Sequence, residues 1–551
     1  MLFNYFFLAV ILLISIVAPS SGKSISGSIL ASKYSSSIND FKKSAEYNLN
    51  ILKSGAKESA FYNDALLYLV ASGNFIQAFE LSKEMYELEL RSPVLSLVMI
   101  IEKISKEKLN DSMSLIQLFE KDLPSVLVAS LRGWINLKKG QLEDSLVEFK
   151  KLSETDLKFD LGAYYSAVAY AQSANTEEAL KIINNNNNNF KILGKVFEIF
   201  KSEIMIMNGE NVKAQKTLKK SLNDFFNDIT LKELYLRIKA NNLYNYQIFQ
   251  DENSGISDTL SLFAQGESRQ LNQKLVEVFY YQLAYFLSKN NARFKIKLAI
   301  SLNEAGLFKE SQEILDTISK DDIFYIESRL ILADFFNENS FEMEAINILN
   351  DLIENHNKTF EIYKILGNIY RYHEKFDLAE AAYSKAIVLA KNSEFDNQDL
   401  WLLYFFRGIA LEQLKNYEKS KNDLRNSLSL MPDQPQVLNY LGYMLIEQKE
   451  NLEEALEMIR KAVKISPQSG YIIDSLAWGL YQLGRYSEAI EPMEKAIELE
   501  PDDPIVNDHL GDILWKIGRK REAYFQWKKA LLFNPKKELK FEIEKKIKFG
   551  L

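Results

Sequence analysis

Cysteine is absent from the 551 residues, so disulfides, thiolate metal sites, cysteine nucleophiles and a lipidated N-terminal cysteine are all excluded. Histidine occurs three times, which leaves little material for zinc or for histidine-based acid–base chemistry. The 21 glycines and 10 prolines fall well below ordinary usage of roughly 7% and 5%. So few helix breakers in so long a chain argue against a turn-rich β architecture. A basic excess is also missing. The 67 Lys and Arg are outnumbered by 75 Asp and Glu, giving a formal charge of −8, which disfavours a polyanion binder. What remains is 47% hydrophobic and 26% charged, enough apolar material for a large core.

Residues 1–22 carry no charged side chain. Phe6 to Ala18 is apolar apart from Ser15, and Pro19, Ser20, Ser21 and Gly22 follow. The run is too short for a membrane span, which needs about 20 apolar residues, and fits a secretory signal. Small residues at Ala18/Ser20 or Ser20/Gly22 offer cleavage sites. No Lys or Arg precedes the run, so a retained N-terminal anchor is the alternative. Either outcome would export the bulk of the chain to the periplasm or the cell envelope.

From about residue 292 the chain repeats every 34 residues. Small residues recur at Ala333, Gly367, Gly408, Gly442, Ala477 and Gly511. Twelve later come Ala345, Ala379, Ser420, Ala489 and Ala523, with Ala455 thirteen after Gly442. Seven further on come Ala386, Ser427, Ala462, Ala496 and Ala530, and Pro432, Pro467, Pro501 and Pro535 close the units. Antiparallel helices approach to about 8–10 Å only where the contact residues are small. The first two small positions are expected to face each other across a helical hairpin, and the third to admit the next unit. Leu441, Leu510, Leu514, Met493 and Trp527 fill the space between. Proline ends the second helix, and Gly484 and Gly518 supply the left-handed turn within the hairpin.

These residues resemble the tetratricopeptide repeat, specifically over 400–535 and well from 292. The strings from Asp474 to Pro501 and from Asn507 to Leu531 further resemble the C-terminal repeats of an exported proteobacterial tetratricopeptide protein. The resemblance implies an all-α fold, an α-solenoid of tandem helix-turn-helix repeats wound as a right-handed superhelix, and export rather than a particular activity. The N-terminal half keeps the rhythm with weaker residues: Ala45, Leu49 and Leu52; Ala78; Gly133, Ser145 and Phe149; Ala167, Ala179 and Ile183; Ala214 and Leu218. The expected organisation is a signal or anchor at 1–22, a divergent array at 23–255, a regular array at 256–535 and a capping helix at 536–551. About 13–15 hairpins are expected, with near-additive stability because repeats mainly contact neighbours. The run Asn184 to Asn189 is expected to be a loop. Gln250 to Gly255 is a candidate hinge, and Asn392 to Asp399 a tolerated surface extension. The lysines of the capping helix, with Arg519, Lys520 and Arg521, form a basic spot. Solvation is its plain explanation and contact with membrane phosphate its sharper one.

A search for chemistry finds no HExxH and no GxSxG. Gly22-Lys23-Ser24 lacks the glycine a phosphate loop requires, since Val17 stands there. His356, His373 and His509 are scattered over three repeats, with no paired carboxylate at ligand spacing. His509 lies between Asp508 and Asp512, which share a helix face (i, i+4) from which the histidine is turned aside. No enzyme, cofactor or metal is expected, and no motif supports a catalytic site in the divergent 223–290 region.

The remaining candidate is the concave groove. In this family the first helix of each pair lines the inner surface. That places Lys364, Asn368 and Arg371, then Asn439 and Tyr443, then Tyr471, Asp474, Trp478 and Tyr481, then Asp508, Asp512 and Trp515 in the groove. Rings and Asn or Asp suit an extended peptide or an amphipathic helix, although Trp478 and Trp515 would serve equally as packing. A carboxylate clamp of the chaperone-adaptor kind is not complete. Lys364 and Asn368 match its first pair, but Phe406 replaces Asn, and Gln436 and Tyr440 replace Lys and Arg. The expectation is a non-catalytic scaffold or adaptor that binds a protein or peptide, no nucleic acid, in envelope assembly or quality control. The alternative is a regulator that recruits a peptidoglycan- or lipid-modifying enzyme.

Overall fold

The computed structural model describes residues 25–153, 160–225, 228–241, 249, 252–267, 273–356, 359–394 and 399–551. The expected signal or anchor at 1–22 lies outside the described residues, as do Gln250, Asp251 and residues 395–398 of the expected extension. The described residues fold as helices joined by short turns, with no strand among them. The chain divides into two compact units, residues 1–348 and 349–551. The expected boundary at 255/256 falls inside the helix Glu252–Glu267 of the first unit.

In the second unit the hairpin is built as the spacing implies. Asp503 caps the helix Pro504–Lys516, accepting from the backbone N–H of Ile505 and Val506, with Pro504 in the first turn where no donor is needed. That helix stops at Gly518, whose φ of +88° favours glycine. A Cβ on Gly511 would lie 2.4 Å from Trp527, and one on Gly367 would lie 2.6 Å from Tyr383. The small residue therefore receives a ring from sixteen positions on. Small residues twelve apart also meet, since Ser420 Oγ donates to the Gly408 carbonyl at 2.7 Å. Hairpins 360–391, 400–430, 435–465, 470–499 and 504–532 stack in order, and Lys537–Phe549 packs on the last of them. The first helices of successive hairpins also touch, 435–447 on 470–482 and 470–482 on 504–516, which sets them on the shorter, inner side.

The first unit departs from nearest-neighbour stacking. Its early hairpins begin with the helices Ser59–Ala71, Pro93–Ser105, Ser125–Lys138, Leu161–Gln172 and Lys195–Met207. A later hairpin lies against three of these first helices, Glu252–Glu267 on Ser125–Lys138 and Gln273–Leu287 on Ser59–Ala71 and Pro93–Ser105. The ring of Trp134, fully buried, sits where a Cβ on Gly255 would be, 2.5 Å away. Lys138 reaches Asn253 at 2.8 Å, and Thr259 meets the Tyr165 hydroxyl at 3.0 Å. Phe249 packs on Trp134, Tyr164 and Phe200, with ring centres 5.7–6.4 Å apart. Farther along, Phe286 stacks on Phe75 at 4.0 Å and Gln282 donates to the Ala71 carbonyl. The inner face of this array is filled by its own chain. Two expectations are corrected. The first unit is tied by contacts far apart in sequence, so its stability is not a sum of neighbours, and Glu252 to Gly255 begin a packed helix rather than a hinge.

The asparagine run is corrected too. It continues the helix Thr176–Asn185, turns once at Asn186 and resumes at Asn187–Phe190. Asn186 Nδ2 bonds back to the Ile182 carbonyl, and the fully buried Phe190 anchors the segment between Tyr164 and Phe197. A buried aromatic and a local side-chain cap outweigh the weak helix preference of asparagine.

Candidate functional site

The inner side of the second unit carries the candidate residues, and they separate into three groups. At its N-terminal end all three are engaged within the fold. Lys364 pairs with Asp399 at 2.7 Å. Asn368 Oδ1 accepts from the Tyr383 hydroxyl at 2.8 Å, and Arg371 bonds that hydroxyl and lies over the Phe406 ring at 4.8 Å. Phe406 thus serves packing at the place where a carboxylate clamp would need a donor.

The middle group comes from the helices Leu400–Gln413, Pro435–Glu447 and Gly470–Gln482. Tyr443 is half-buried, and its phenol is pushed upward by burial and by the charges of Glu447, Asp474 and Glu412. Tyr440 donates to Glu412 at 3.0 Å. Trp478 Nε1 donates to Glu447 at 2.7 Å, and the indole stacks on Tyr481 at 4.7 Å and on His509 at 3.9 Å. Asn439 Oδ1 and Gln448 Nε2 are buried atoms with no hydrogen-bond partner. Among the described residues no cation pairs with Glu412 or Glu447. Tyr471 is 56% exposed, its ring open to solvent.

At the C-terminal end the acids are covered. Asp508 and Asp512 are 4% and 3% exposed, and Lys546 from the last helix reaches both at 2.7 Å. Asp512 also accepts from Trp527 Nε1 at 2.8 Å. Burial and the neighbouring Asp508 raise its carboxyl above the usual range. Trp515 packs on Trp527 at 5.4 Å, with Lys520 over its ring and Gly550 against it. The expectation of a groove reaching through Asp508, Asp512 and Trp515 is therefore corrected, because the capping helix sits on that stretch. His509, turned aside from its neighbours as expected, bonds buried Asp474 of the preceding hairpin at 2.9 Å. Burial lowers the imidazole's proton affinity, but Asp474, followed by Asp508 and Asp512, outweighs it and the net direction is upward. Asp474 and His509 are thus one structural pair beneath Trp478.

What stays open is a short stretch around Tyr443 and Trp478, rich in acceptors and ring faces. Among the described residues no cluster of carboxylates and histidines is placed to hold a metal. The sequence reading missed Glu412, Tyr440, Glu447 and Gln448. The signal was available, since Tyr443 and Glu447 share a helix face (i, i+4) and Tyr440 lies one turn before Tyr443.

A family model described as "Tetratricopeptide repeat" matches residues 405–470, and one described as "TPR repeat" matches 480–518. Residues 405–470 and 480–518 are tetratricopeptide repeats. The matched segments are hairpins of the second unit and contain Tyr440, Tyr443, Glu447 and Tyr481. The chain is 36% identical over 88 residues to the TPR repeat-containing protein PA4667 of Pseudomonas aeruginosa. That match covers 16% of this chain and about 15% of the length of the curated relative. Yeast Tom70 is 16% identical, with 77% of this chain and 95% of that one covered and a TM-score of 0.34. A tetratricopeptide repeat protein from Parabacteroides merdae is also 16% identical, with 46% and 97% covered and a TM-score of 0.38. Tetratricopeptide repeats act as protein–protein interaction scaffolds, and that is the general role of this fold.

Proposed function

We propose that this tetratricopeptide-repeat protein is a non-catalytic, exported adaptor that holds a partner polypeptide on the inner face of its second unit, between residues 400 and 482, in cell-envelope assembly or quality control. The observation that carries the reading is the contrast between the inner faces of the two units. In the first unit the helices Glu252–Glu267 and Gln273–Leu287 lie on the inner face. In the second, the half-buried Tyr443 and Trp478 stand beside Glu412 and Glu447, with which no cation pairs among the described residues, and beside Asn439 Oδ1, a buried atom with no hydrogen-bond partner there. Acceptors and ring faces together suit a segment that brings donors and positive charge, such as one containing Lys or Arg. Export and an envelope role are supported by the apolar run from Phe6 to Ala18 and the small residues after it.

The experiment is affinity capture from cross-linked envelope fractions, comparing the natural chain with Tyr443→Ala/Trp478→Ala. Partners lost in the variant, while circular dichroism stays helical, support the reading. Partners retained by the variant would move the binding surface elsewhere, and recovery of the chain only from the cytoplasmic fraction would overturn the envelope role.

A further inference from the structure

The outward face of the last hairpin differs from that of the hairpin before it. On the helix Lys520–Leu532, Arg521, Phe525, Lys528 and Leu532 follow at i, i+4, i+7 and i+11, which makes them one stripe. All four are exposed, Phe525 at 64% and Leu532 at 76%. Exactness of register lets the same positions be read one repeat earlier. There, 34 residues back, stand Ser487, Glu491, Glu494 and Glu498. The repeat fold therefore does not require apolar or basic residues on this stripe. The following helix, Lys537–Phe549, continues the character, with Phe541 65% exposed and Lys548 over the ring of Phe549. Between Arg519 and Leu551 the chain has eleven Lys and Arg against four Glu, within a whole chain of −8. Among the described residues neither Arg521 nor Lys528 forms an ion pair, and Lys528 lies over the Tyr524 ring at 4.7 Å.

We propose that this outward face docks on an anionic membrane surface. Along the stripe, cations alternate with single large apolar side chains. At headgroup level a bilayer accepts both at once: rings and Leu enter the acyl boundary while Lys and Arg stay hydrated beside lipid phosphates. A buried protein interface would instead strip water from each cation and demand a matching carboxylate for every one. The negative remainder of the chain turns the basic end toward an anionic surface.

The test is co-sedimentation of the full chain with vesicles of phosphatidylcholine alone and of phosphatidylcholine with phosphatidylglycerol. The apolar run at 6–18 would contribute alike to both compositions, so the readout is the ratio of anionic to neutral binding. Two variants accompany it, Arg521→Gln/Lys528→Gln and Phe525→Ser/Leu532→Ser, each changing only exposed positions and checked by circular dichroism. The expected result is preferential binding to anionic vesicles, roughly 30-fold weaker in the Gln variant at about a fivefold loss per cation, and weaker also in the Ser variant. Equal binding to the two vesicles, or unchanged anionic binding by the Gln variant, would overturn the proposal. So would capture of polyglutamate by a chain that ignores both vesicles, which would assign the face to an acidic protein.

Discussion

Lys546→Met should loosen the C-terminal end by leaving two buried carboxylates without their cation. Methionine keeps most of the side chain's apolar stem, so the change is chiefly one of charge. Lys546 Nζ lies 2.7 Å from both Asp508 and Asp512. Asp508 Oδ1 is buried with no hydrogen-bond partner, and Lys546 holds its other oxygen. Asp512 would retain Trp527 alone. Removing one member of a buried ion pair costs about 3–5 kcal/mol. Lys546 is 17% exposed, so some solvent screens the site and the lower end, about 3 kcal/mol, is expected. The pH dependence follows from the direction of the Asp512 shift. Its carboxyl is raised by burial and by Asp508, while Lys546 holds it down. Without the lysine it rises further. A carboxyl raised above its unfolded value binds protons more readily in the folded state, so folded stability is regained as pH falls. The penalty must shrink on acidification. Because repeat arrays open from their ends, the assay is hydrogen–deuterium exchange of peptides from 504–549, corrected for intrinsic rates. The variant should lose roughly a hundredfold protection near neutral pH and less near pH 5. Unchanged protection, or a penalty that grows on acidification, would show that Lys546 does not neutralise these carboxylates.

His509 should titrate above the ordinary histidine value of about 6.5 in the natural chain, and below it in Asp474→Asn, where burial acts with much less opposition. With three histidines in the chain, selectively labelled NMR can follow it. Its raised value contributes stability that is fully present below the unfolded pKa and lost as pH rises through the folded one. Gly255→Ala separates two accounts of the first unit by sign. On a solvated helix the change would stabilise by about 1 kcal/mol. Against the Trp134 ring, 2.5 Å from the new Cβ, it should destabilise by about 1–3 kcal/mol in urea unfolding.

The second unit was legible because its local and tertiary rules coincide. Gly511 and Trp527, or Gly367 and Tyr383, sit at fixed separations in one hairpin, so a period found in the sequence is also a contact. The first unit was less legible because its decisive contacts join Trp134 to Gly255 and Phe75 to Phe286, at separations that no repeat period encodes. One sign was available. Leu95 to Ile101 is apolar except for Ser96, and a helix apolar all round must be covered on more than one side. That pattern states that something covers the helix without saying which segment does. The site was half legible for the same reason. Tyr443 and Trp478 could be placed from repeat position alone. The burial of Asp508 and Asp512 depends on Lys546, which belongs to no repeat and docks where a further first helix would otherwise lie.

In the proposed function, partners are held on the inner face of the second unit near Tyr443. The most direct measurement installs a photo-crosslinking amino acid at position 443 or, as the outer-face control, at position 491, and illuminates intact cells. The account predicts a discrete crosslinked polypeptide from position 443 that is absent from position 491 and lost when Trp478→Ala is added. A crosslink from 491 and none from 443 would contradict it.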